Sequence, residues 1–172
     1  VPWINSGKVN ELRVLEPSER ITELALSKSA TKLMPAGSTL LAITGATLGQ
    51  VSMLGEEMCA NQSVVGIYDP TGSWGDFVFW SFKTHIGSII QHASGGAQQH
   101  INKDIVNAVS FAMPLESVLA RFNAAVRPMN NLVLSLMRKN INLRTTRDLL
   151  LPKLISGELD VSVMPATETI AA

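Results

Sequence analysis

An α+β fold is what the sequence predicts: a domain of short, twisted, mostly antiparallel strands with few helices, followed by a long C-terminal coiled-coil helix. Three observations carry this. Apolar runs of strand length recur at 38–44, 50–54 and 60–68, separated by glycine-rich turns. At 75–92 the pattern lengthens to helical spacing, with Phe77, Trp80, Ile86, Ile89 and Ile90 on one side. From 115 on, Leu115, Val118, Phe122, Ala125, Met129, Leu132 and Leu136 follow at alternating steps of three and four, the narrow seam of a coiled coil.

Taken in order, 1–10 reads as a strand running into a polar loop, and 20–29 as a short helix or turn. Met34-Pro35-Ala36-Gly37 is a turn, and 38–44 a buried strand. Gly45-Ala46-Thr47-Leu48-Gly49 is a tight loop, 50–54 the returning strand, and 60–68 a further strand ended by Asp69-Pro70. After the helix at 75–92 the polar stretch 94–100 breaks the pattern. Asn102-Lys103-Asp104 opens a helical turn, and 108–113 forms a last strand before Pro114. The long helix then runs to Ser156-Gly157, where Gly157 is free to take a left-handed conformation. Pro128 lacks an N–H and crowds the carbonyl of Ala124, which predicts a kink or a fresh helix start there and the same at Pro152. The domain organisation expected is 1–114 globular, 115–157 helical and 158–172 a tail, disordered over 164–172.

The 172 residues carry fourteen basic and fourteen acidic side chains, so no global field advertises a nucleic-acid partner. The sum hides a split. Residues 1–115 hold seven basic and nine acidic side chains, 116–153 seven and two, and 154–172 none and three. A DNA binder of this composition relies on local patches. A single cysteine, Cys59, excludes an internal disulfide and a multi-cysteine zinc site, and fits an intracellular, cytoplasmic protein. No apolar run of 18 residues suggests a membrane span, and no signal peptide is evident. The chain starts at Val1 in what reads as a strand, and residues upstream are expected.

Enzymatic chemistry has little support. His85, His92 and His100 are the only histidines. Cys59 with a histidine is the minimum for a thiol nucleophile, but a lone cysteine beside a strand is more often a small buried hydrophobe. His92 and His100 lack a metal-ligand spacing. There is no phosphate-cradling Gly-x-x-x-x-Gly-Lys-Ser/Thr loop, and no Asn-Pro-Pro-Tyr or Asp-Pro-Pro-Tyr signature for amino methylation. No cofactor and no metal are expected. Three polar loops suit binding instead: Ser6, Lys8 and Asn10; Thr44, Thr47 and Gln50; and Gln98, Gln99, His100 and Lys103. Amides pair with adenine edges, lysine with guanine and hydroxyls with either, while lysines and backbone N–H groups hold phosphates. Solvated loops of ordinary kind have the same composition.

Order and density of motifs go further. The tail Arg147-Asp148-Leu149-Leu150-Leu151-Pro152-Lys153-Leu154 with Ser156-Gly157-Glu158 resembles the conserved helical region of type I restriction–modification specificity subunits. Pro2-Trp3-Ile4 with Ser6-Gly7, Pro35-Ala36-Gly37, Gly45-Ala46-Thr47 with Gly49, Asn61-Gln62-Ser63, Gly95-Gly96-Ala97-Gln98-Gln99 with Asp104-Ile105, and Met113-Pro114-Leu115 are similar to segments of the family's target-recognition domains, in the same order. The resemblance covers residues 2–161. The chain holds one recognition domain and one helix where a full subunit has two of each, and the opening segment of such a domain is missing.

The resemblance implies a non-catalytic DNA-reading half subunit or fragment. Methylation and restriction subunits would be its partners, and double-stranded DNA with a bipartite site its target. It also implies antiparallel pairing of two helices, which in a half-length chain predicts a homodimer through Phe122, Ala125, Met129, Leu132 and Leu136. The alternatives are a helix-dimerised protein-interaction scaffold and, behind it, a Cys-dependent hydrolase.

Overall fold

The computed structural model describes residues 1–91, 93 and 99–162. The chain divides into two compact units, Val1–Asn131 and Leu132–Ala172. In the first, β1 (Pro2–Ile4) runs into a 3₁₀ turn (Ser6–Asn10), then β2 (Arg13–Val14), β3 (Glu19–Arg20) and the short helix α1 (Glu23–Lys28). β4 (Thr39–Ala42), a second 3₁₀ turn (Gly45–Thr47), β5 (Val51–Leu54), β6 (Cys59–Ala60) and β7 (Val64–Ile67) follow. Helices α2 (Gly75–Ile90), α3 (Lys103–Ala108) and α4 (Glu116–Ile155) complete the described elements.

The strands form two small sheets, β3-β1-β6 and β2-β5-β4-β7. Pairing is mixed: β1–β3, β4–β5 and β4–β7 are antiparallel, β1–β6 and β2–β5 parallel. Every residue of β4 and β5 is buried because the four-stranded sheet is covered on both faces. Leu41, Val51 and Met53 pack with Val78, Phe79 and Phe82 of α2, while Leu40, Ala42 and Leu54 pack with Ile4, Val9 and Met58. Double coverage explains why 40–43 reads as an unbroken apolar run rather than an alternation.

Three expectations are corrected. The single strand at 60–68 is two strands on different sheets, β6 beside β1 and β7 beside β4. The Asn61 side chain accepts from Ser63 N at 3.1 Å and its carbonyl from Val64 N at 3.2 Å, closing a turn that redirects the chain. Residues 108–113 form no strand. Instead α3 runs to Ala108, and Phe111 packs edge-on against Phe82, with ring centroids 5.1 Å apart. Finally, of the kink or fresh start expected at Pro128 and Pro152, the fresh start does not occur: Glu116–Ile155 is one helix. Arg127 and Asn130, on either side of Pro128, are tied to the domain by hydrogen bonds that hold this turn helical in spite of the missing donor. The helix stops where expected, with Gly157 at φ +74° and Leu159 N bonded back to Lys153 O at 3.0 Å. The expected disorder at 164–172 lies outside the described residues.

Candidate nucleic-acid interface

The first polar loop is the 3₁₀ turn after β1. Asn5 opens it by accepting from Gly7 N at 2.9 Å, and the buried Val9 pins it to the core. Ser6 and Lys8 are half-buried and Asn10 is exposed. Lys8 Nζ is neutralised by Glu11 at 2.9 Å.

The second loop reverses the chain between β4 and β5. Both glycines of Gly-Ala-Thr-Leu-Gly have positive φ, +62° at Gly45 and +81° at Gly49. A Cβ on Gly49 would also lie 3.0 Å from Ile90 Cγ2, so this position needs glycine for both conformation and space. Thr47 Oγ1 donates to Thr44 O at 3.2 Å and Gln50 N to Thr47 O at 3.0 Å. The Gln50 side-chain oxygen is buried without a hydrogen-bond partner among the described residues.

The third loop returns to the same place. Ile101 N donates to Ile43 O and Gly45 N to Gln99 O, both at 3.0 Å, and Thr44 bridges His100. The turns Ser6–Asn10 and Gly45–Thr47 lie against each other. All three loops therefore share one edge of the domain, past the C-terminal end of β4. Gln99, His100 and Lys103 are exposed there, Lys103 in the first turn of α3, which Asn102 caps through Ile105 N at 2.8 Å. Thr44 and Thr47 are half-buried, and Gln98 lies outside the described residues. The edge offers hydroxyls, amides, an imidazole and an ammonium. Among the described residues this is a hydrogen-bonding surface without an acid–base pair held in a cleft.

Sequence reasoning missed a buried polar joint. Arg13 is 2% exposed, with its guanidinium 4.5 Å from the Phe79 ring centroid. It donates to Leu12 O at 2.8 Å and to Asn130 Oδ1 at 2.7 Å. Asn130 Nδ2 donates to Asp76 Oδ1 at 2.7 Å, and Arg127 reaches Asp76 Oδ2 at 3.3 Å and Gly72 O at 2.6 Å. Burial pulls the Arg13 pKa below its ordinary value, and the charge of Asp76 works in the other direction. The one signal in the sequence was an arginine set among Leu12, Val14 and Leu15.

Residues 1–117 match the model of the type I restriction modification DNA specificity domain. The chain belongs to this family. It is 26% identical over 163 residues to the type I restriction enzyme HindI specificity subunit of Haemophilus influenzae, an alignment covering 92% of this chain and 35% of that protein. The HsdS subunit of Thermoanaerobacter tengcongensis has the same fold, with a TM-score of 0.54 at 16% identity over 92% of this chain and 38% of that one. The chain thus spans about a third of the length of these relatives.

Beyond the matched residues, the seam residues of α4 divide. Phe122 is half-buried and meets Phe77 edge-on, at 6.2 Å between centroids. Ala125, Met129, Leu132 and Leu136 are exposed. The buried positions of the helix are Leu119 and Asn130, one residue off the seam. Cys59 is fully buried and donates to Pro2 O at 3.3 Å, the environment of a core residue rather than a nucleophile. No group of metal-ligating side chains occurs among the described residues, and no described helix is long and apolar enough to cross a membrane.

Proposed function

We propose that the chain is one reading half of a type I restriction–modification specificity subunit. It binds duplex DNA through the edge that carries Ser6, Lys8, Asn10, Thr44, Thr47, Gln50, Gln99, His100 and Lys103, with Gln98, which lies outside the described residues, as a further contact. The observation that supports this best is the convergence of three sequence-distant polar loops on one edge, which gives side chains of the reach and chemistry that read base edges in a major groove. The buried Gln50 oxygen suits positioning of the loop; the exposed Asn10 and Gln99 amides suit base contact. Family membership supports partner methylation and restriction subunits, which carry the chemistry, and the cytoplasm as the place of work. The chain itself needs no cofactor.

The exposed Met129, Leu132 and Leu136 support a second helix packed antiparallel on α4, supplied by a second copy, so that two domains read the two halves of a bipartite site. The test is selection from a library of randomised duplexes by the purified full chain. One enriched, salt-sensitive motif is expected, with neither methyl transfer nor cleavage by the chain alone. Absence of any enrichment at low salt, or methyl transfer by the chain alone, contradicts the proposal.

A further inference from the structure

Beside the reading edge lies a groove of about 820 Å³. Its floor is apolar and half-buried, with Trp3, Met34 and Val64; its rim is exposed and polar, with Lys32, Gln62 and Lys103. Among the described residues no carboxylate lines it. Neither lysine is ion-paired with a described residue, whereas Lys8 on the reading edge is neutralised by Glu11. The groove adjoins the edge through Ile43, which lines it, takes a hydrogen bond from Ile101 N at 3.0 Å and donates to Ser63 O at 2.9 Å.

The geometry points to this groove as the seat of one sugar–phosphate strand of the duplex that the edge reads. The inference rests on the DNA-reading proposal and assigns phosphate anchoring to the groove, Lys103 standing where its rim meets the reading edge. Base edges are recessed in a DNA groove and are reached by protruding loops. The phosphate backbone is a ridge, and a ridge fits a concavity. Two free ammonium groups and an amide on the rim match phosphate oxygens, and the apolar floor matches deoxyribose. With Lys8 paired to Glu11, the electrostatic attraction where edge and groove meet falls to Lys32 and Lys103. Phosphate contacts carry no sequence information, which separates anchoring in the groove from reading at the edge.

The experiment is a duplex titration with the full chain at several salt concentrations, using the preferred sequence and a scrambled one. Lys32→Gln combined with Lys103→Gln is compared with Gln99→Ala and wild type. Each lysine lost from a phosphate makes the slope of log affinity against log salt shallower by about 0.9, which corresponds to roughly fivefold in affinity at 0.15 M salt. The double lysine variant is expected to lose about 1.8 of slope and roughly 25-fold in affinity on both sequences, so that their ratio stays constant. Gln99→Ala is expected to lower the ratio at constant slope. A double lysine variant with wild-type slope overturns the inference while DNA reading stands, and so does one whose preferred-to-scrambled ratio collapses. Failure of the wild-type chain to bind either duplex overturns both. The lysines are exposed, and an unchanged circular dichroism spectrum and unfolding midpoint separate lost contact from lost fold.

Discussion

Two stripes run along α4, and they are completed differently. Leu119, Phe122, Asn123, Val126, Arg127 and Asn130 are buried, half-buried or bonded to the globular domain: Phe122 on Phe77, Asn123 to Ser73 O at 2.6 Å, Arg127 to Asp76 and Gly72, Asn130 to Arg13 and Asp76. Leu115, Val118, Met129, Leu132 and Leu136 stay exposed. Half of the stripe that meets the domain is polar, and the stripe left exposed is apolar. The hydrogen bonds to the domain fall on one face of the first turns of the helix, and the apolar side chains on the other stay exposed.

This contrast can be broken at four points. The largest effect is expected from Leu132→Asp with Leu136→Asp. Fully burying one leucine is worth about 1.5–3 kcal/mol, so the pair should weaken helix association by about 3 kcal/mol or more, over 100-fold in Kd. Sedimentation is expected to show a dimeric wild type and a folded, monomeric variant; a wild-type chain that is monomeric at micromolar concentration removes the premise. Next, Asp76→Ala leaves Arg127 and Asn130 without their shared acceptor and the buried Arg13 without a nearby negative charge. Uncompensating a buried charge costs about 3 kcal/mol, to be read from denaturant unfolding. A loss under 1 kcal/mol would mean that the joint does not fix the helix.

Gly49→Ala forces a side chain into φ +81° against Ile90, at a cost of about 1–2 kcal/mol. The turn carrying Thr44 and Thr47 should loosen, while the helix seam is untouched. The smallest effect concerns Asp69, at the start of α2. Partial burial opposes its charge, but hydrogen bonds from the Thr71 hydroxyl and from Trp74, Thr71 and Gly75 N–H outweigh it, so its pKa is lowered. A carboxyl with a lowered folded pKa contributes stability above the unfolded value of about 4, lost as pH falls through the folded one. Asp69→Asn should therefore cost about 1 kcal/mol at neutral pH, and the difference from wild type should shrink in acid. A constant difference down to strong acid would contradict this.

The two stripes also explain what could be read in advance. Hydrophobic periodicity found the open seam, because Val118, Leu132 and Leu136 announce themselves by type and spacing. It is blind to a stripe of Asn123, Arg127 and Asn130, whose partners Ser73, Asp76 and Arg13 are remote in the chain. The same division holds in the sheet. β4 and β5 were legible from apolar runs between glycine turns, whereas the switch between sheets at 61–63 depends on one asparagine side chain. For the candidate site, residue types identified three polar loops. Their convergence follows from long-range pairings, Ile43 with Ile101 and Gly45 with Gln99, that no local pattern encodes.

The most direct measurement maps methylated adenines on DNA treated with this chain in complex with a methylation subunit, for wild type and for Asn10→Ala with Gln99→Ala. If the converged loops read bases, the wild-type complex marks one defined motif, and the variant relaxes it at the positions this domain contacts. An identical motif at an identical rate with the variant would contradict the account.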